Sequence, residues 1–230
     1  MGWVSRSETP ALLPPMGWAT ARRGIVSGRG DTGAMTTSCC TSSGSAEAPP
    51  TWVESMGGPL IALPASVLDG WGGCTMSGML ISYGDVADDY DRACEIDGLA
   101  GVIGVGGRNA QGLVLADEPA MTCYLPQHRA FVRWGAADSE AELMVAAEAV
   151  LSDPTVKWGT YGVWETDGPA VLMDAATKGA ELNIEDLNGG GMPEQAPVRI
   201  PAGRWTVRAV HASVDEETSV GLVQLLPSSV

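Results

Sequence analysis

A chain of 230 residues with 45% hydrophobic and 18% charged side chains has the composition of a globular protein, long enough to bury a core in one large domain or two small ones. Its formal net charge of −15 disfavours nucleic acid and anionic membrane as partners, while 30 glycines and 15 prolines favour short strands and many turns. The five cysteines, Cys39, Cys40, Cys74, Cys94 and Cys123, show no CxxC spacing, and no apolar run reaches the roughly 20 residues that span a bilayer, so neither a disulfide framework nor a membrane span is expected.

Residues 1–50 are rich in Gly, Pro, Ser, Thr and Arg without apolar periodicity, and a disordered tail is expected there. Met35 opens Met-Thr-Thr-Ser and reads as a natural translation start, which would make residues 1–34 an over-extended gene start. The charge changes sign at the same place. Residues 1–34 hold four arginines against Glu8 and Asp31, so the remainder carries a net of −17. No secretory signal pattern opens the chain, and a reducing cytoplasm is the expected location.

From residue 51 to 230 a single α+β, mostly β domain is expected. Its first segment, Trp52-Val53-Glu54-Ser55-Met56-Gly57-Gly58-Pro59-Leu60-Ile61, returns as Val163-Trp164-Glu165-Thr166-Asp167-Gly168-Pro169-Ala170-Val171. Aligned on Gly-Pro, Glu54 falls on Glu165, Ser55 on Thr166, Gly58 on Gly168 and Pro59 on Pro169, with one glycine dropped. Gly112-Leu113-Val114 and Gly221-Leu222-Val223 form a second match at nearly the same offset of about 110 residues. The pattern predicts two duplicated β-rich units, 51–135 and 158–230, each opened by a turn that leads into an apolar strand. Trp52, Glu54, Gly58, Pro59, Trp164, Glu165, Gly168 and Pro169 are its structural residues, the two glutamates accepting backbone N–H groups in the turns.

Between these segments, Ala65–Trp71 reads as a helical turn with Trp71 in the core, and Asp85 to Cys94 as a short helix whose acids gather at its N-terminus. Leu99–Val105 and Gly112–Leu115 predict a hairpin turning at Gly106–Asn109, and Phe131, Val132 and Trp134 another strand. Ser139 with Glu142 forms a capping box for an amphipathic helix over 139–152, with Leu143, Ala147, Val150 and Leu151 as its apolar stripe. This helix would join the two units. Beyond Asn188–Gly191, a loop, Trp205–Val210 and Val220–Leu226 predict a final hairpin with Asp215, Glu216 and Glu217 at its tip.

Four arrangements resemble chemistry. Cys123 and His128 lie five apart as a thiol and an imidazole would in a nucleophile–base pair, yet nothing orients or activates them. Gly101–Gly107 is glycine-rich but lacks the Lys-Ser/Thr and following helix of a phosphate loop. Asp85, Asp88, Asp89 and Asp91 miss the glycine and glutamate of a calcium loop, and a solvated helix start accounts for them better. Glu54 and Glu165 resemble a glycosidase pair, but their recurrence at one place in two repeats points to the fold. No cofactor, no metal and no catalytic residue is assigned; the acidic stretches Asp85, Asp88, Asp89, Asp91 and Asp215, Glu216, Glu217 are the candidate partner-binding residues.

Taken together, Trp52–Ile61, Asp89-Tyr90-Asp91-Arg92-Ala93-Cys94, Ala116-Asp117-Glu118-Pro119, Val163–Asp174, Gly203-Arg204-Trp205 and Val220–Leu225 resemble the immunity protein 21 family over about residues 51–227. The resemblance implies a cytoplasmic immunity protein of a bacterial polymorphic toxin system, whose partner is a cognate secreted toxin domain and which is not an enzyme. Stoichiometric occlusion of the toxin is the expected mechanism. The alternatives are a small enzyme that reverses or detoxifies a toxin product, and a β-rich binding or scaffold module unrelated to toxins.

Overall fold

Short apolar runs separated by Gly, Pro and Ser/Thr turns do fold as strands. The computed structural model describes residues 49–75, 87–106, 110–182 and 195–228, all within the unit Glu47–Val230. Its strands are β1 (Trp52–Val53), β2 (Leu60–Pro64), β3 (Gly101–Val105), β4 (Ala110–Leu115), β5 (Thr122–Leu125), β6 (Ala130–Ala136), β7 (Gly159–Thr166), β8 (Ala170–Asp174), β9 (Gln195–Val198), β10 (Gly203–Ser213) and β11 (Ser219–Pro227). Two α-helices, α1 (Asp89–Cys94) and α2 (Glu140–Ser152), and two 3-10 turns, Ala65–Gly70 and Gly179–Glu181, complete the described elements. The tail expected over 1–50 lies outside the described residues except for Pro49 and Pro50, as do Met35, Asp85, the loop at 188–191 and the turn residues 107–109.

The strands form two antiparallel sheets, ordered β1-β5-β6-β11-β10-β7 and β3-β4-β2-β8-β9. Between them lies the main core, where Val53, Leu60, Leu113, Phe131, Trp164, Leu172, Val207 and Val223 meet. The outer face of the six-stranded sheet is covered by α2, whose Leu143, Ala146, Ala147 and Val150 pack on Cys123, Val132 and Leu222. Burying a side chain the size of Leu143 contributes about 2 kcal/mol. On the outer face of the five-stranded sheet, Ile61, Leu63 and Met173 pack with Trp71, which follows the first 3-10 turn, and with Tyr90 and Ala93 of α1. Covered on both sides, β2 is buried at every residue, which explains its continuous Leu-Ile-Ala-Leu run. By contrast β10 alternates, with Trp205, Val207 and Ala209 buried as expected.

The two repeated segments occupy the same kind of place. Each leaves the six-stranded sheet (β1, β7), turns, and enters the five-stranded sheet as its central pair, β2 beside β8 with Ala62 opposite Leu172. In the first turn Ser55 Oγ accepts Gly58 N–H at 3.2 Å and donates to Gly58 O at 2.5 Å. In the second, Thr166 Oγ1 accepts Gly168 N–H at 3.3 Å and donates to Gly168 O at 2.8 Å. The extra Gly57 adopts φ 115°, a conformation that suits glycine. A Cβ at Gly58 would run into the Tyr90 hydroxyl of α1.

Each sheet order also reads alike from either end once β1, β2, β4, β5 and β6 are matched with β7, β8, β9, β10 and β11, leaving β3 unmatched. That match is one of strand order, and one expected equivalence fails against it. The stretches 51–135 and 158–230 each contribute strands to both sheets, and α2 lies between β6 and β7 in the chain. Gly112–Val114 and Gly221–Val223 sit in different sheets, β4 and β11, so they are not equivalent. Trp52 and Trp164 point to opposite sides, Trp52 toward α2 and Trp164 into the main core, because alignment on the glutamates sets Val53, not Trp52, against Trp164.

Candidate functional site

Two acidic stretches carry the expectation of partner binding, and the fold treats them differently. Asp88 is the N-cap of α1: its carboxylate accepts Asp91 N–H at 2.8 Å and Thr75 N–H at 2.7 Å, while the Asp91 carboxylate accepts Asp88 N–H at 3.2 Å. Asp89 accepts Gly72 N–H at 2.7 Å and pairs with Arg92. Burial raises the Asp88 pKa, but the N–H groups of Thr75 and Asp91 outweigh it and hold the carboxyl below its ordinary value. These acids tie the 71–75 stretch to the helix. Asp85 lies outside the described residues.

In the β10–β11 loop only Asp215 has such a task. It accepts Glu217 N–H at 2.9 Å and Thr218 N–H at 2.7 Å, bonds that lower its pKa. The carboxylates of Glu216 and Glu217 are exposed and without partners among the described residues. Thr218, 3% exposed, donates its hydroxyl to Glu142 Oε1 at 3.3 Å and so joins the loop to the first turn of α2. There Ser139 caps the helix by accepting Glu142 N–H at 3.2 Å, while Glu142 Oε2 reaches Asp138 N–H at 3.3 Å rather than that of the cap residue.

Asp138, Glu140 and Glu142 thus share one end of the six-stranded sheet with Glu216 and Glu217. Two of the three exposed large hydrophobic residues in the described chain, Val145 at 71% and Val214 at 49%, lie on the second turn of α2 and in the β10–β11 loop. Apolar side chains beside unpaired carboxylates have the make-up of a protein-binding patch: an apolar centre excludes water and a charged rim sets orientation. The helix acids were legible in the sequence as the start of a capped helix. That they join the hairpin loop, and that Val145 and Val214 stay uncovered, was not.

The other candidates resolve into fold or separate from one another. Glu54 is exposed with no partner among the described residues, and Glu165 pairs with Arg204 at 3.0 Å, so neither glutamate accepts the turn N–H groups expected of it. That work falls to Ser55, Thr166 and the buried Asp174, whose carboxylate accepts Met56 N–H at 2.7 Å and Ala176 N–H at 2.8 Å. Cys123 is fully buried beneath α2, its thiol pushed up to about 12 chiefly by burial, while His128 Nε2 meets Glu148 Oε1 at 2.8 Å. The two do not act on each other. The Gly101–Gly106 stretch is an ordinary hairpin arm, paired with β4 from Gly101 opposite Val114 to Val105 opposite Ala110.

The comparison with family models matches the chain to immunity protein 21 over residues 51–218. No curated protein and no solved structure matches it. With the match spanning nearly all of the described fold, from β1 through β10, the chain belongs to the immunity protein 21 family and is an immunity protein of a toxin system.

Proposed function

We propose that the protein neutralises its cognate toxin by binding it stoichiometrically in the cytoplasm of the producing cell, with the patch formed by the β10–β11 loop and the first turns of α2 against a basic surface of the toxin. The observation that carries this reading is that two elements joined by the Thr218–Glu142 bond, the β10–β11 loop and α2, carry Glu216 and Glu217, without partners among the described residues, and the exposed Val145 and Val214. Unpaired carboxylates on an acidic protein accelerate encounter with a basic partner, from about 10⁵–10⁶ M⁻¹s⁻¹ by two decades or more at low salt. Apolar residues that become buried on docking slow its dissociation. Blocking the toxin's active surface then suffices for protection, with no chemical step. The test is co-purification with the toxin encoded beside it, followed by binding kinetics of Glu216→Lys/Glu217→Lys and of Val145→Asp. Slower association in the first and faster dissociation in the second are expected; a toxin that binds both variants as it binds the parent protein would refute this surface.

A further inference from the structure

The outer face of the six-stranded sheet is covered unevenly. The apolar stripe of α2 packs on Cys123, Val132 and Leu222 of β5, β6 and β11. Val163, Thr206 and Leu226, consecutive partners across β7, β10 and β11, lie on the same face, opposite the buried Trp164 and Trp205. They join none of the three apolar clusters and are only half-buried.

Beside them stands Arg208. Its guanidinium lies 4.3 Å from the centroid of the Trp158 ring, and its Nε and Nη2 both donate to Gln224 Oε1, at 2.9 and 2.5 Å. The amide of Gln224 is held in turn, its Nε2 donating to His128 O at 3.1 Å. A guanidinium carries five N–H donors in one plane, so the indole occupies one face and the amide occupies the Nε side. The far end of the plane, Nη1 with the second hydrogen of Nη2, stays open. There Nη1 has no acceptor among the described residues and keeps contact with solvent.

Other cations of the sheets are already committed. Arg92 pairs with Asp89, Lys178 with Glu181 and Arg204 with Glu165, while the buried Arg133 donates to Ala116 O and Glu118 O. No carboxylate pairs with Arg208 among the described residues, and burial lowers its pKa with no acid acting against it. Stacking and the amide bonds fix this side chain in advance, so binding costs it little rotamer entropy. An open pair of parallel N–H donors matches the two oxygens of a carboxylate.

We propose that this uncovered part of the sheet is a protein-docking surface, on which Arg208 holds an Asp or Glu side chain of the toxin through Nη1 and Nη2. Apolar atoms around that acid cover Val163 and Leu226. A free anion would leave those two side chains wet, whereas a protein buries them with the same contact and gains affinity from it. The inference rests on the reading that the protein binds its toxin, and it does not involve the Glu216 loop.

The test is the dissociation rate of the complex with the toxin encoded beside it. Arg208→Gln should speed dissociation about tenfold or more. Arg208→Lys should not restore the parent rate, because an ammonium lacks the planar pair of donors. Thr160, exposed and directly opposite Arg208 on β7, provides a variant that keeps the arginine. Thr160→Glu supplies a carboxylate from the protein's own sheet, and dissociation should quicken while the melting temperature holds or rises. If Arg208→Gln does not fold, Thr160→Glu decides. One toxin Asp or Glu whose alanine substitution adds nothing further to Arg208→Gln is also expected. Parent-like dissociation of Arg208→Lys or Thr160→Glu, or the lack of such a toxin acid, overturns this inference alone. A toxin that the parent protein does not bind overturns it together with the reading on which it rests.

Discussion

The stretch around Asp88 and the loop around Glu216 look alike in the sequence, three acids within four residues in each, and the fold uses them in opposite ways. Asp88, Asp89 and Asp91 spend their oxygens on backbone N–H groups and an arginine. In the other loop Asp215 alone closes the turn, and Glu216 and Glu217 are exposed with no partner among the described residues. A carboxylate that accepts backbone N–H bonds stabilises the fold and is poorly placed to meet a partner, whereas a free one costs the fold little and extends its field into solvent. The two stretches also lie in opposite outer layers, α1 over the five-stranded sheet and α2 with the hairpin loop over the other.

The comparison sharpens by removing acids one at a time, beginning with the most buried. Asp174→Ala leaves Met56 N–H and Ala176 N–H without their charged acceptor, and a loss of about 3 kcal/mol in chemical denaturation is expected. Asp88→Ala removes the α1 cap and should cost about 1–2 kcal/mol by the same measurement. Because the Asp88 carboxyl is held below its ordinary value in the fold, its contribution is present above the unfolded pKa of about 4 and disappears as pH falls through the lower folded value. Melting temperatures recorded from pH 6 down to pH 2 should therefore converge for Asp88→Asn and the parent protein at the acid end; a gap that widens on acidification would contradict the assignment.

At the small end of the stability scale stands Glu216→Lys/Glu217→Lys, for which an unchanged melting temperature is expected, since neither carboxylate holds anything. The same variant should slow toxin association about tenfold at low salt, and the difference should fade as the Debye length shrinks below about 10 Å near 0.1 M. The opposite pattern, a destabilised protein with normal association, would break the comparison at its centre.

Much of the chain was legible before folding was considered. Ser139 and the Leu143, Ala147 and Val150 stripe located α2, the alternation from Trp205 to Val210 located β10, and the Gly-Pro turns located the entries to β2 and β8. Such features are local, set by capping, by periodicity and by the hydroxyl of Ser55 or Thr166 folding back onto its own turn. The sequence likewise carried the family and the acidity. β5 and β9, only four residues each, carried too little pattern to be noticed, and Arg133 was passed over inside an apolar strand.

What the tertiary structure alone decided is which side chains remain unsatisfied. Whether a carboxylate is free depends on N–H groups supplied from elsewhere, as Thr75 serves Asp88 and Met56 serves Asp174 across more than a hundred residues. Whether the buried Arg133 stem has room depends on Gly221, its partner across β6 and β11, which lies 88 residues further along the chain. Residue identity and local period determine the elements, since they act over a few residues of chain. Partnership and burial are pairwise properties of distant residues, and they exist only once the sheets have assembled.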